Sequence, residues 1–136
     1  MSRTGEIEGA ALAGAGGNRL GTVEHVLFHP EEPRAVALQV RPNPALYVVA
    51  KPAAFVPFAD ARIAGEVVWL DGAKKLPPRK RTEEAVGHDM DRTVIWTRMP
   101  VKDRDGQVIG AVADVEIDSA GAVAALTVST GPLIRI

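Results

Sequence analysis

The feature that most constrains the fold of this chain is an internal repeat. Leu20–His29 (LGTVEHVLFH) aligns with Ile109–Asp118 (IGAVADVEID), and both copies follow the pattern aliphatic-Gly-x-Val-x-x-Val-x-apolar. A loop glycine stands just upstream of each copy. Two copies of one pattern within 136 residues indicate that a small unit has been duplicated. The matched structural positions are Gly17 with Gly106, Leu20 with Ile109, Gly21 with Gly110 and Val23 with Val112.

Each copy has the hydrophobic alternation of a β-strand, followed by a turn and a second alternating run. This pattern predicts one β-hairpin in each repeat. A glycine inside the first strand of each hairpin, Gly21 or Gly110, indicates a bulge or a close approach of another backbone. The predicted strands are Leu20–Phe28 and Ala35–Arg41 in the first hairpin, and Val108–Ile117 and Ala122–Ser129 in the second.

Shorter β-branched runs predict further strands, whereas helix is expected to be scarce. Glu83–Met90 is predicted to form two helical turns at most, because Gly87 interrupts it. The predicted fold class is therefore all-β: a small β-barrel plus a second, partial barrel-like β unit. The additional strands are predicted at Ile7–Leu12, Leu46–Ala50, Glu66–Leu70, Thr93–Thr97 and Pro100–Lys102.

The first repeat resembles a known domain family. Gly17–Phe28 (GNRLGTVEHVLF) is similar to the opening of a PRC-barrel domain, and the similarity continues through Ala35–Val40 and Val56–Ile63. This family includes the cytoplasmic part of the photosynthetic reaction centre H subunit and the C-terminal domain of the ribosome maturation factor RimM. Asp103–Val128 resembles the start of a second copy. The resemblance implies a PRC-type β-barrel that serves as a docking surface for larger assemblies.

The repeat and the resemblance divide the chain into three parts: a PRC-barrel-like domain over residues 1–73, a linker over 74–91, and a partial second repeat over 92–136. A unit of roughly 45 residues is smaller than most domains that fold alone. Its open strand edges would also invite pairing. We therefore expect the second unit to complete its sheet against the first unit or against a partner chain, and a homodimer is one such solution.

The first part of the predicted linker is strongly basic. The segment KKLPPRKR places five cations in eight residues, and its prolines favour an extended connector. One interpretation is a solvated linker whose charges are neutralised by Glu83, Glu84, Asp89 and Asp91. The alternative is a contact with RNA phosphates or an anionic lipid surface. The candidate contact residues are Lys74, Lys75, Arg79, Lys80 and Arg81.

Composition excludes several classes of function. The chain has no cysteine, which excludes a disulfide framework, a thiol nucleophile and cysteine-based metal sites. The net charge of -1 argues against a surface that binds nucleic acid all round, and an aromatic content of 4% argues against a base-stacking platform. The sequence shows neither a signal peptide nor an apolar run long enough to span a membrane, so a cytoplasmic location is expected.

Candidate catalytic or metal-binding residues are few. Asp103–Gly106 (DRDG) predicts a tight turn rather than a calcium loop. The acidic residues Asp114, Glu116 and Asp118 alternate along one predicted strand, which is more typical of a solvent-facing side than of a cation site. His25 and His29 fall in a strand and a loop, not on a helix face that would pair them for a metal. We expect no enzyme activity, no metal and no cofactor.

Three functional classes remain at this point. The first is a non-catalytic protein–protein interaction or assembly module, for which Trp69 and Trp96 would be anchors if they are exposed and strand-packing aromatics if they are not. The second is a ribosome- or RNA-associated factor that uses the basic linker. The third is a small-ligand binder that uses the barrel interior. The interaction module is the preferred hypothesis.

Overall fold

A computed structural model describes residues 1–46 and 52–130 of the chain. Within these residues the fold consists mainly of β-strands, so the all-β prediction is confirmed. No helix in the described part is long and apolar enough to cross a membrane. In chain order the elements are β1 (Ser2–Arg3), α1 (Thr4–Ile7), β2 (Ala11–Ala13), β3 (Arg19–Phe28), β4 (Ala35–Pro42), β5 (Ala54–Pro57), β6 (Arg62–Ala64), β7 (Val67–Trp69), α2 (Arg79–Val86), β8 (Pro100–Lys102), β9 (Val108–Ile117) and β10 (Val123–Ser129).

The strands form two sheets. The first is a curled half-barrel with the strand order β5-β4-β3-β2-β7-β6, in which only β2 and β7 run parallel. The second has the order β1-β9-β10, and β8 also pairs with β9. Both predicted hairpins are present, β3–β4 in the first sheet and β9–β10 in the second. Each repeat therefore supplies the long hairpin of one sheet.

The duplication extends to the backbone register. Leu12 of β2 lies opposite Gly21, and Val101 of β8 lies opposite Gly110, with the same irregularity one residue further along each pair. The turns before the long strands also match, because Gly17 and Gly106 both adopt left-handed φ angles, 79° and 83°. A side chain is strained in that region, which explains the glycine in each copy.

The glycine inside each long strand marks a close backbone approach, as predicted. A Cβ atom placed on Gly21 would overlap the carbonyl oxygen of Arg41 and lie 2.7 Å from Val40 Cγ1. A Cβ atom on Gly110 would overlap the carbonyl oxygen of Ser129 and lie 2.8 Å from Val128 Cγ1. The two repeats therefore use the same contact to fold one strand tightly onto the next.

The two repeats exchange backbone hydrogen bonds reciprocally. The Ala35 amide donates to the Gly121 carbonyl at 2.7 Å, and the Val123 amide donates to the Pro33 carbonyl at 3.0 Å. Ala35 and Val123 are equivalent positions of the two hairpins, so these bonds relate the repeats by an approximate two-fold axis. In addition, β1 from the start of the chain pairs with β9. The second unit thus completes part of its sheet against the first, which is one of the two arrangements expected from sequence.

The hydrophobic core is shared between the repeats. Phe28 is fully buried, and the ring of Trp96 stacks on it with 4.8 Å between centroids. A second, smaller cluster lies beneath α2 and includes Met90. The main core therefore stabilises both units together. Its other fully buried members include Ile7, Leu12, Leu20, Val23, Val26 and Leu38 from the first repeat and Val115 and Ile117 from the second.

Three of the predicted elements differ in the structure. Residues 93–97 do not form a strand; only Val94 makes a bridge, to Phe28. Within Ile7–Leu12 the chain leaves a short helix, turns at Gly9 with φ 89°, and enters β2 only at Ala11. The basic segment is not extended throughout, because α2 begins directly after Pro78 and ends at the left-handed Gly87. Residues 47–50 of the predicted strand Leu46–Ala50 lie outside the described residues.

Candidate functional site

The structure divides the basic segment into two parts with different surroundings. Lys74 and Lys75 lie before α2 and line an open groove together with Arg81 from the helix. Leu76 is buried in the main core, so it fixes this stretch to the body of the protein. The groove encloses about 530 Å³, and its lining also includes Asp60, Leu70, Asp71, Pro77 and Pro78.

Arg79 belongs to a different cluster. Its guanidinium donates to Asp91 at 2.7 Å and to Asp89 at 3.1 Å, and it reaches Glu83 at 3.4 Å. It also lies 5.1 Å from the centroid of the Phe55 ring. The hydrogen bonds to Asp91 and Asp89 raise the pKa of Arg79 above its ordinary value. The charge of Arg79 is thus neutralised within the chain, and its role is to hold α2 against the residues that follow it.

The remaining four cations are free to meet an outside partner. Lys74, Lys75, Lys80 and Arg81 are exposed, and no carboxylate in residues 1–46 and 52–130 forms an ion pair with them. Of the two acidic groove residues, Asp71 is bound by Arg62 through two bonds of 2.9 Å, which lower the pKa of the Asp71 carboxyl. The structure therefore brings Lys74, Lys75 and Arg81 together and separates Arg79 from them.

The clearest asymmetry between the repeats lies in the two hairpins. Leu38 of β4 is fully buried, whereas its counterpart Leu126 of β10 is 46% exposed. Leu20 of β3 is 1% exposed, whereas Ile109 of β9 is 41% exposed. In the first repeat, β5 pairs with β4 and α2 packs on β5; within the described residues the second repeat has no equivalent of either element. The β9–β10 hairpin therefore presents apolar side chains to solvent at these two positions.

The acidic residues of β9 have structural partners. The Asp114 carboxylate accepts hydrogen bonds from the Thr4 hydroxyl and the Gly5 amide, and Glu116 lies 3.4 Å from Arg3. Asp118 accepts from the amides of Ala120 and Ala122, which closes the turn before β10. Asp103 closes the predicted tight turn at Gly106 in the same way. Among the described residues, no group of three or more histidine or acidic side chains is arranged to hold a metal ion.

The three histidines are divided between two places. The Nδ1 atom of His25 lies 3.4 Å from Glu8 Oε2, while His29 packs edge-on against His88 with 5.2 Å between the ring centroids. The Nδ1 atom of His29 accepts hydrogen bonds from the amides of Glu31 and Glu32, each at 3.0 Å. These bonds order the loop of the first hairpin. The contact between His29 and His88 could not be inferred from their spacing in sequence.

Both tryptophans are half-buried. Trp96 stacks on Phe28, and the Arg62 guanidinium lies 5.6 Å from the centroid of the Trp69 ring. They therefore act as packing residues in this structure. The exposed side chains of Ile109 and Leu126 are aliphatic instead, and the repeat pattern does not reveal their exposure, because the equivalent Leu20 and Leu38 are buried.

Comparisons with known proteins do not add a family to this description. No protein-family model matches the chain, and no curated protein matches it. The resemblance of Gly17–Phe28 to PRC-barrel domains thus stays a prediction from the sequence.

Proposed function

We propose that this protein is a non-catalytic cytoplasmic interaction and assembly module whose second repeat carries the docking surface. The observation that carries this proposal is the exposure of Leu126 and Ile109 at positions where the equivalent Leu38 and Leu20 are buried. Burial of apolar surface is the main favourable contribution to protein association. A hairpin that leaves these aliphatic side chains in water is stabilised when another protein covers them.

The backbone of β10 supports the same function. Within the described residues β10 pairs with β9 on one side, and beyond Val123, whose amide bonds to Pro33, its other edge has no strand beside it. An open edge offers amide and carbonyl groups to an added strand, which is a common mode of protein recognition. The PRC-barrel resemblance supports this class as well, since the family members named above use the domain as a docking surface.

Affinity capture from native extract tests the proposal. Leu126→Lys places a charge on the exposed face, while Leu46→Lys makes the same change at another exposed leucine, in the segment that follows β4. We expect immobilised wild-type protein and Leu46→Lys to retain the same specific partner, and Leu126→Lys to lose it. Equal retention by all three forms would contradict the proposal, provided that circular dichroism shows each variant to be folded.

The second candidate function is an RNA-associated role for the basic segment. The observation that favours it is the grouping of Lys74, Lys75 and Arg81 along one open groove. Phosphate contacts made by such cations weaken steeply as salt concentration rises. The test is fluorescence polarisation of a labelled single-stranded RNA at two salt concentrations.

For this candidate, the double variant Lys80→Ala with Arg81→Ala should weaken salt-sensitive binding. Arg104→Ala, which removes an exposed arginine in the turn before β9, is the control. Binding that is unchanged in the double variant would contradict the RNA hypothesis. The third class, a ligand site inside the barrel, has little support, because buried aliphatic side chains pack the interior of the half-barrel.

A further inference from the structure

We propose that the partner of β10 is the β10 strand of a second copy of this chain, paired antiparallel about a two-fold axis at Leu126. The inference rests on the proposed docking function of the second repeat and names its occupant. Three observations carry it: the pairing that the first repeat already makes at the equivalent edge, the composition of the other edge strands, and the self-complementary sequence of β10.

The pairing of β4 with β5 in the first repeat shows what kind of element fits the open edge of β10. Residues 37–40 of β4 pair with β5 in an antiparallel register that sets Leu38 opposite Val56 and Gln39 opposite Phe55. The equivalent residues of β10 are 125–128, which leave their outer edge unpaired within the described part of the chain. Because the two hairpins share their fold and register, the edge of β10 is shaped to receive an extended, uncharged strand that runs antiparallel to it.

The composition of the edge strands selects β10 itself as that strand. Proteins commonly protect exposed strand edges with charged residues or proline, which prevent pairing with another chain. Among the described residues, β10 is the longest edge strand and has neither a charge nor a proline. The other edge strands all contain one: Arg3 in β1, Pro57 in β5, Arg62 in β6, and Pro100 and Lys102 in β8.

Two copies of β10 are complementary in this arrangement. Side chains that lie directly opposite one another in an antiparallel pair point to the same face of the sheet. An axis at Leu126 satisfies this rule, since it sets Leu126 opposite its own copy and Ala125 opposite Thr127 of the partner subunit. No like charges meet, because residues 122–129 are all uncharged. The two exposed leucine side chains shield one another from water, and the second sheets of both copies join into one.

Analytical ultracentrifugation of the full chain tests the inference. We expect the wild-type protein to sediment as a dimer within a concentration range of about 1 to 100 µM. Leu126→Lys opposes two ammonium groups across the axis and should raise the dissociation constant at least about tenfold. Leu46→Lys, the matched control, should remain dimeric. A wild-type monomer over the whole range, or a dimer that Leu126→Lys leaves unchanged, would overturn the inference.

Disulfide trapping locates the axis independently of affinity. Because the chain has no cysteine, Leu126→Cys introduces a single thiol, and Leu46→Cys serves as the control. Opposed residues of an antiparallel pair are close enough for a disulfide. Mild oxidation should therefore convert Leu126→Cys to a covalent dimer while Leu46→Cys stays monomeric in a denaturing gel. Equal cross-linking of both variants, or of neither, would contradict the placement of the axis.

The outcomes separate this inference from the proposed function. If the wild-type chain is monomeric but a different protein binds it in a manner abolished by Leu126→Lys, the docking function stands and self-pairing fails. If Leu126→Lys changes neither the sedimentation of the chain nor the capture of any protein, both fail.

Discussion

The Thr4 hydroxyl donates a hydrogen bond of 2.9 Å to the Asp114 carboxylate, so it links two residues that are 110 positions apart in the chain. Thr4 is fully buried, and its oxygen in turn accepts a bond from the Val115 amide. The same carboxylate oxygen accepts the Gly5 amide at 3.0 Å. Asp114 therefore holds the start of the chain against β9 and accepts the hydrogen bond of the Thr4 hydroxyl, which would otherwise be a buried donor without an acceptor.

Replacement of Asp114 by alanine should destabilise the fold. The change leaves the buried Thr4 hydroxyl without its acceptor, and an unsatisfied buried polar group costs about 1–3 kcal/mol. Urea denaturation followed by circular dichroism measures the loss in free energy of unfolding. Glu116→Ala removes the carboxylate two residues along β9, which lies 3.4 Å from the exposed Arg3, and should change the midpoint far less. Equal effects of the two variants would show that the hydrogen bond to Thr4 does not contribute more stability than the contact between Glu116 and Arg3.

The stability of the protein should also depend on pH through Asp114. Burial of this carboxyl opposes its ionisation, but hydrogen bonds from Gly5, Thr4 and Val115 and the charge of Arg3 outweigh burial and lower its pKa. Because the folded pKa lies below the unfolded value of about 3.9, the stabilisation is present above that pH and is lost as pH falls further. Asp114→Asn should therefore lose less stability than the wild type between pH 6 and about pH 3. If urea denaturation gives the same pH dependence of stability for Asp114→Asn and the wild type, Asp114 is not the group responsible.

Gly21→Ala and Gly110→Ala should both destabilise the protein, by about 1–3 kcal/mol each. The reason is the same in both repeats, since the added methyl group meets a carbonyl oxygen and a valine of the adjacent strand. Thermal unfolding of the two variants provides the comparison. Gly5→Ala is a suitable control, because a Cβ atom there meets Asp114 only at ordinary contact distances of 3.5 Å or more. A neutral effect at either glycine would show that the strands can separate at little cost.

Arg98→Gly should stabilise the protein by about 0.5–1 kcal/mol. Arg98 adopts a left-handed φ of 72°, and its amide donates to Val112, just as the amide of Gly9 with φ 89° donates to Val23 in the first repeat. The arginine thus bears a backbone strain that glycine avoids. The reverse change, Gly9→Arg, should destabilise to a similar degree, and a Cβ atom at Gly9 meets no other atom within 4 Å. Melting temperatures of the two variants that shift in the same direction would refute this explanation.

Arg79→Ala should lower the denaturation midpoint more than Lys80→Ala. Arg79 binds Asp89 and Asp91 and covers Phe55, whereas Lys80 is exposed and forms no ion pair with a described residue. Loss of Arg79 removes both the ion pairs and the packing of its side chain on the ring. The difference should shrink at high salt without vanishing, because the contact with Phe55 is not screened. Equal midpoints for the two variants would assign Arg79 to the solvent-exposed cations.

Much of the local structure follows from the sequence. Alternation of apolar residues indicates β3, β4, β9 and β10, because successive side chains of a strand point to opposite faces of the sheet. The glycines at positions 17 and 106 mark the same left-handed turn, and those at 21 and 110 mark the same close approach. The duplication is also visible in the sequence, because the same backbone geometry requires glycine at equivalent positions of the two repeats.

Only the tertiary structure decided how these pieces meet. Val94 lies in a run that looks like a strand, yet it makes a single bridge, because the segment around it crosses from one repeat to the other. Arg79 and Arg81 are close in sequence, but α2 turns the first toward a carboxylate cluster and the second toward the groove. Leu38 and Leu126 have the same place in the repeat, and only the packing of neighbouring elements buries the first and exposes the second. The local sequence pattern determines which residues can form a strand. Burial and charge pairing depend instead on neighbours that are distant in the chain, and the two otherwise equivalent repeats differ in those neighbours.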